Sequence, residues 1–102
     1  LPDFILAREL LSDSALVIEQ VQLFPNPCRE YLMLRYFSPE TVYADIEIYD
    51  LQSKLIMHKK LMIEQGFNEI NLNTSELRNG MHLLRLTGNQ LSIRKTFLKE
   101  ID

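Results

Sequence analysis

Val42-Tyr43-Ala44-Asp45-Ile46-Glu47-Ile48-Tyr49-Asp50 is the stretch that decides the fold. Val42, Ala44, Ile46 and Ile48 fall on one side, and Tyr43, Asp45, Glu47 and Tyr49 on the other. Side chains of an extended chain alternate faces with a period of two. The pattern therefore predicts a strand with one dry and one wet face, as in an antiparallel sheet. Upstream, Tyr31–Phe37 repeats it with Leu32, Leu34 and Tyr36 on one face. Ser38-Pro39-Glu40 forms the turn between the two. Leu16–Phe24 is the first strand, with Val21 and Leu23 opposed to Gln20 and Gln22. Phe24-Pro25-Asn26-Pro27 ends it. Each proline fixes φ near about −65° and removes a backbone donor. The residues before them are pushed out of the helical region, and Asn26 can bond nearby backbone as an Asx-turn.

Downstream, Gln52-Ser53-Lys54 turns the chain into Lys54–Ile63, a strand with two nearly equally apolar faces and a candidate bulge. Gln65-Gly66 leads into Phe67–Asn73, with Ile70 and Leu72 inward. Thr74–Asn79 reads as a crossing loop that drops Leu77 into the core. Gly80–Thr87 places His82, Leu84 and Leu86 on one face. Gly88-Asn89 signals a tight hairpin, and Leu91–Leu98 closes the series with Leu91, Ile93 and Phe97 inward. Seven short strands with frequent turns and no long helix describe an all-β, immunoglobulin-like antiparallel β-sandwich. Residues 16–102 form this unit. Residues 1–15 are a leader or linker from an upstream region. Within it, Ile5–Leu11 fits a short helix capped by Asp3 or the tail of an upstream strand, and Ser12-Asp13-Ser14-Ala15 is a small polar linker.

The bulk numbers agree with one soluble domain. The 102 residues are 46% hydrophobic and 25% charged, enough to bury one modest core without metal or disulfide support. The net charge of −3 argues against a nucleic-acid partner. No apolar run reaches the length of a membrane span. The single cysteine, Cys28, has no internal disulfide partner. The opening shows no signal-peptide pattern, so the chain is expected to be a piece of a longer protein.

Catalytic constellations are absent from this reading. Cys28 beside Arg29 lacks a paired base. His58, in a basic run with Lys59 and Lys60, is a surface residue. His82 is a buried, hydrogen-bonded one. Two histidines and one cysteine do not make a zinc set. Asp45, Glu47 and Asp50 are read as a solvated face rather than a calcium site. No cofactor, metal or catalytic residue is assigned. The residues left to carry function are on surfaces. Met81, Leu83, Arg85 and Thr87 should face outward on one strand of the last hairpin, with Ser92, Arg94 and Thr96 beside them. Met81 and Leu83 are apolar on a face that should be wet. Tyr43 and Tyr49 are the one exposed aromatic pair expected on the third strand.

The order of motifs resembles the C-terminal sorting domain of the type IX (Por) secretion system of Bacteroidetes. The matching pieces are Phe24-Pro25-Asn26-Pro27, Tyr31–Leu34, Ile46–Asp50, Gly66–Leu72, Leu77–Leu86 and Lys95–Lys99. The chain departs from the family at Ser53, where a glycine is usual, and at His82, where a tyrosine is usual. Ser53 should then hold a conformation that glycine takes more easily. The resemblance implies a secretion and sorting module. Its partners would be the type IX translocon, outer-membrane shuttle and sortase proteins, and an upstream cargo domain of the same polypeptide. It implies passage through the periplasm to the cell surface, commonly followed by sortase cleavage and attachment there. Ser12, Asp13, Ser14 and Ala15 are the possible cleavage region. Translocon recognition falls on Gly80, Met81, Leu83, Arg85, Arg94, Lys95 and Lys99, and Phe24, Pro25, Asn26 and Pro27 form a structural corner. The alternatives are an uncleaved domain of a surface-retained component, favoured by the apolar Leu1–Leu11, and an adhesive or carbohydrate-binding module. Charges such as Arg94, Lys95 and Lys99 could instead guard the terminal edge against aggregation.

Overall fold

A computed structural model describes residues 21–101 of the chain. The seven strands are β1 (Val21–Phe24), β2 (Tyr31–Ser38), β3 (Val42–Tyr49), β4 (Leu55–Ile63), β5 (Gly66–Asn73), β6 (Gly80–Gly88) and β7 (Leu91–Lys99). They form two antiparallel sheets, ordered β1-β2-β5 and β4-β3-β6-β7. No helix occurs among the described residues, so none there is long and apolar enough to cross a membrane. The expected sandwich is the observed one. Residues 16–20 of the expected first strand lie outside the described part.

The period-two pattern explains the core. β2 contributes Leu32, Leu34 and Tyr36; β3 contributes Ala44, Ile46 and Ile48; β6 contributes Leu84 and Leu86. Ile63, Leu72, Phe97 and Val21 complete the layer between the sheets, and Leu77 drops in from the crossing loop as expected. Burying a side chain of this kind contributes about 1.5–3 kcal/mol.

The ambiguous fourth strand does contain an irregularity. Ile48 pairs with Met57, but Tyr49 pairs with Leu55, leaving Ile56 without a partner. An extra residue of this kind shifts the alternation by one, which is why Lys54–Ile63 showed no clean face. The turn before it holds Ser53 at φ 67°, as its place in a usual glycine position implied. Asp50 builds that turn. Its carboxylate accepts the amides of Gln52 and Lys54, both at 2.9 Å, and its carbonyl accepts Ser53 N–H at 3.0 Å. Ser53→Gly should therefore stabilise the chain by about 0.5 kcal/mol, the relief of a left-handed Ser offset by the unfolded-state entropy of Gly. The urea midpoint checks this.

The last hairpin corrects one detail. Gly88 belongs to β6 and pairs with Leu91, so the turn is Asn89–Gln90, with the positive φ (59°) on Gln90. Gly88 has a different task. A Cβ there would stand 3.0 Å from the Tyr43 carbonyl oxygen, so the small residue allows β3 and β6 to approach.

Candidate functional site: the terminal hairpin and its corner

β6 and β7 present the outward face that the alternation predicts. Met81 opposes Leu98, Leu83 opposes Thr96, Arg85 opposes Arg94 and Thr87 opposes Ser92. Met81 is 40% exposed. The upper half of this face is thus apolar and the lower half cationic. Arg85 and Arg94 form a like-charged cross-strand pair, an arrangement that is unfavourable unless a carboxylate is near. Glu47 on the adjoining β3 lies 3.8 Å from Arg85 Nη1. Tyr49 donates its hydroxyl to the same Glu47 carboxylate at 2.8 Å, and that bond holds its phenol above the ordinary value.

The seven residues assigned to recognition do not share one surface. Met81, Leu83, Arg85 and Arg94 lie together on the outer face, and Gly80 opens β6 at φ 129°. Lys95 and Lys99 share the face of Phe97 and so lie on the opposite side of β7. Lys95 is half-buried at the rim. Lys99 is only 2% exposed, and its ammonium donates to the Thr74 carbonyl. Its pairing position thus makes Lys99 a core residue, neither an exposed reading head nor an edge guard. The Ser12–Ala15 segment lies outside the described residues.

The Phe24–Pro27 corner takes part in this same end of the molecule. Both X–Pro bonds in it are cis. Asn26 does not bond its own turn, as an Asx-turn would. Its side-chain oxygen accepts the Leu98 amide of β7 at 2.9 Å, because the corner carries the chain from one sheet across to the edge of the other. Two residues on, Cys28 N–H donates to the Leu98 carbonyl at 2.8 Å and Glu100 N–H to the Cys28 carbonyl at 2.9 Å. Thr74 is fastened to the same segment, accepting nothing there but donating its amide to Glu30 O (3.0 Å) and its hydroxyl to Arg29 O (3.1 Å). Ile101 N–H reaches Asn79 Oδ1 at 3.2 Å. The first and last motifs of the sequence are therefore one structural unit. Cys28, expected as a plain thiol in a turn, is fully buried in it.

The remaining polar candidates are paired with one another. His58 meets Asp45 at 2.8 Å, with Lys60 at 3.6 Å from the same carboxylate oxygen. The His58 hydrogen bond first, and the nearby Lys60 charge, hold Asp45 below the usual carboxylate range against the opposing cost of burial. His82 is buried, stacks on Phe97 with ring centres 5.6 Å apart, and has its Nδ1 3.0 Å from the Gly80 carbonyl. That contact is within its own strand end. Among the described residues no group of three or more His, Cys, Asp or Glu could hold a metal ion.

One surface escaped the sequence reading. The alternation that buries Leu32, Leu34 and Tyr36 turns Tyr31, Met33, Arg35 and Phe37 outward. Phe37 (60% exposed) pairs across the sheet with Phe67 (61% exposed). The Arg35 guanidinium lies 4.6 Å from the Phe24 ring centre and 5.5 Å from that of Phe67, and it pairs with Glu69 at 2.7 Å. The opposite face of β2 was the available signal. By contrast, the expected aromatic pair on β3 is unequal: Tyr43 is exposed, whereas Tyr49 is half-buried and bound to Glu47.

Comparison with known proteins agrees with this geometry. A search of the curated proteins finds no match. Among solved structures, the chain is similar to dimeric latent PorU from Porphyromonas gingivalis, with a TM-score of 0.67 and 24% identity. The likeness covers 80% of this chain and 9% of that one, and it speaks for the shared sandwich. The family model described as the secretion system C-terminal sorting domain matches residues 22–100, from the first described strand through the corner to the end of β7. The chain belongs to the secretion system C-terminal sorting domain family.

Proposed function

We propose that residues 16–102 are the sorting module of a longer cargo protein, carried through the outer membrane by the type IX translocon after transit through the periplasm. The carrying observation is the union of the Asn26–Cys28 corner with the Leu98–Glu100 end of β7. It holds the terminal hairpin as a folded, outward-facing element rather than a loose tail. The outer face with Met81, Leu83, Arg85 and Arg94 is the surface the machinery reads. Gly80 sets the entry of β6, while Lys95 and Lys99 support β7 from the inner side. After passage, a cell-surface sortase cuts in the Ser12–Ala15 region and the cargo is attached at the surface. A polar linker ahead of a stable sandwich suits cleavage with the module still folded.

Necessity is tested by removing residues 91–102 from the cargo-bearing protein in a type IX host. The expected result is cargo retained in the periplasm. Normal surface delivery would contradict the proposal. The cut is read separately, by mass spectrometry of the mature surface protein.

A further inference from the structure

The backbone of β7 leaves part of its sheet edge without a partner among the described residues. In a strand, the N–H and C=O of one residue point to one side within the sheet, and those of the next residue to the other. Leu98 aims both groups at the corner, to Asn26 Oδ1 and Cys28 N–H. The β6–β7 register runs without a shift from Gly80↔Lys99 to Gly88↔Leu91. Thr96, Arg94 and Ser92 therefore aim their backbone groups the same way as Leu98, away from β6. β7 is the last strand of its sheet. Among the described residues, no backbone group of another segment bonds these three. The corner closes this edge at Leu98, and the Asn89–Gln90 turn closes it at the other end.

We infer that Ser92–Thr96 is a strand-addition site. It takes an extended segment of a protein partner that carries an acidic residue opposite Arg94. The inference rests on the sorting reading above, and it assigns the partner to the export machinery. Charge selects the occupant. Arg94 already faces Arg85, with one carboxylate, Glu47, at 3.8 Å from the latter. A second copy pairing antiparallel about Arg94 would line up the Arg85–Arg94 pairs of both chains across one sheet, which like-charge repulsion opposes. A carboxylate on a different partner relieves that repulsion. Residues flanking it would lie beside Ser92 and Thr96, short of Leu98, whose backbone groups the corner already takes. By comparison, the β4 edge carries His58, Lys59 and Lys60 beside the unpaired Ile56, a protected pattern. The corner thus has a second effect: it fixes where an added strand must stop.

Proline distinguishes this mode from side-chain reading, because at an outward-facing position it removes the edge donor and spares the β6 ladder. Arg94→Pro and Thr96→Pro are placed in the cargo-bearing protein, with Arg94→Gln as the control that keeps the amide. The proline variants should stay folded by circular dichroism and lose surface delivery by about tenfold or more, the cost of an obstructed hydrogen-bonded edge. Arg94→Gln should lose less. Folded proline variants delivered at the wild-type level would overturn strand addition while leaving the sorting role standing. If proline unfolds β7, amide exchange of the wild-type chain decides. In detergent-solubilised outer membrane from a type IX host, protection should rise at Ser92, Arg94 and Thr96. Unchanged protection there overturns the inference, as would a dimer of the chain alone that protects the same amides. Failure of wild-type delivery itself would instead count against the sorting reading.

Discussion

Phe97→Ala should lower the folding free energy by about 4 kcal/mol, a large part of what a domain of this size holds. Phe97 is fully buried at the end of β7, where the two sheets meet, and its ring lies against His82 with an interplanar angle of 18°. Truncation removes the transfer energy of the ring and leaves a cavity. The core it belongs to, with Leu84 and Leu86 on β6, is carried by paired strands, so the cavity cannot collapse fully. The expected fall in melting temperature is on the order of 20 °C, since about 1 kcal/mol corresponds to roughly 4–8 °C at this chain length. A fall of only a few degrees would mean that β7 is not part of the core. Loss of surface delivery should accompany the unfolding, because the outward face exists only while β7 is packed.

Lys99→Glu should cost about 3–5 kcal/mol, for a different reason. The Lys99 ammonium is buried against the Thr74 carbonyl, and Thr74 is itself tied to Arg29 and Glu30. A carboxylate in that place would face a carbonyl oxygen with no donor, an unpaired charge out of water. Lys99→Met keeps the volume and removes the charge, and should stay within about 1.5 kcal/mol of wild type. The contrast with Arg94→Glu is informative. Arg94 is exposed on the outer face, so that reversal should change stability by no more than about 0.5 kcal/mol. Urea titrations of the three variants check this. A stable Lys99→Glu would show that Lys99 reaches solvent. The cations near the end of the chain therefore divide by face: Lys99 is buried in the fold, whereas Arg94 stands exposed on the outer face.

The division was present in the alternation of β7, and a specific competing signal hid it. Alternation told which residues share a face of β7, and it correctly opposed Phe97 to Arg94 and Thr96. By the same count Lys95 and Lys99 belong with Phe97. Chemical type, a run of basic residues at the end of a family motif, outweighed that count and placed them outside. A lysine reaches a buried carbonyl only when a distant loop supplies one, and Thr74 is far away in sequence. Asn26 was misjudged for the same reason. Asx-turn chemistry is local, whereas its actual partner, Leu98, arrives from the other end of the chain. What was legible was local or periodic. The clean face of Val42–Asp50 fixed β3, the broken alternation of Lys54–Ile63 marked the Ile56 irregularity, and the missing glycine at Ser53 announced a positive φ. The Phe24–Arg35–Phe67 surface was also legible, as the outward complement of a strand already assigned.

The central claim is that the folded module suffices to sort whatever protein precedes it. The most direct measurement fuses residues 15–102 to the C-terminus of a periplasmic reporter in a type IX host and determines the reporter fraction at the cell surface. Surface delivery of the wild-type fusion, lost with Phe97→Ala, is the predicted result. A reporter retained in the periplasm while the host's own cargo is exported normally would contradict it.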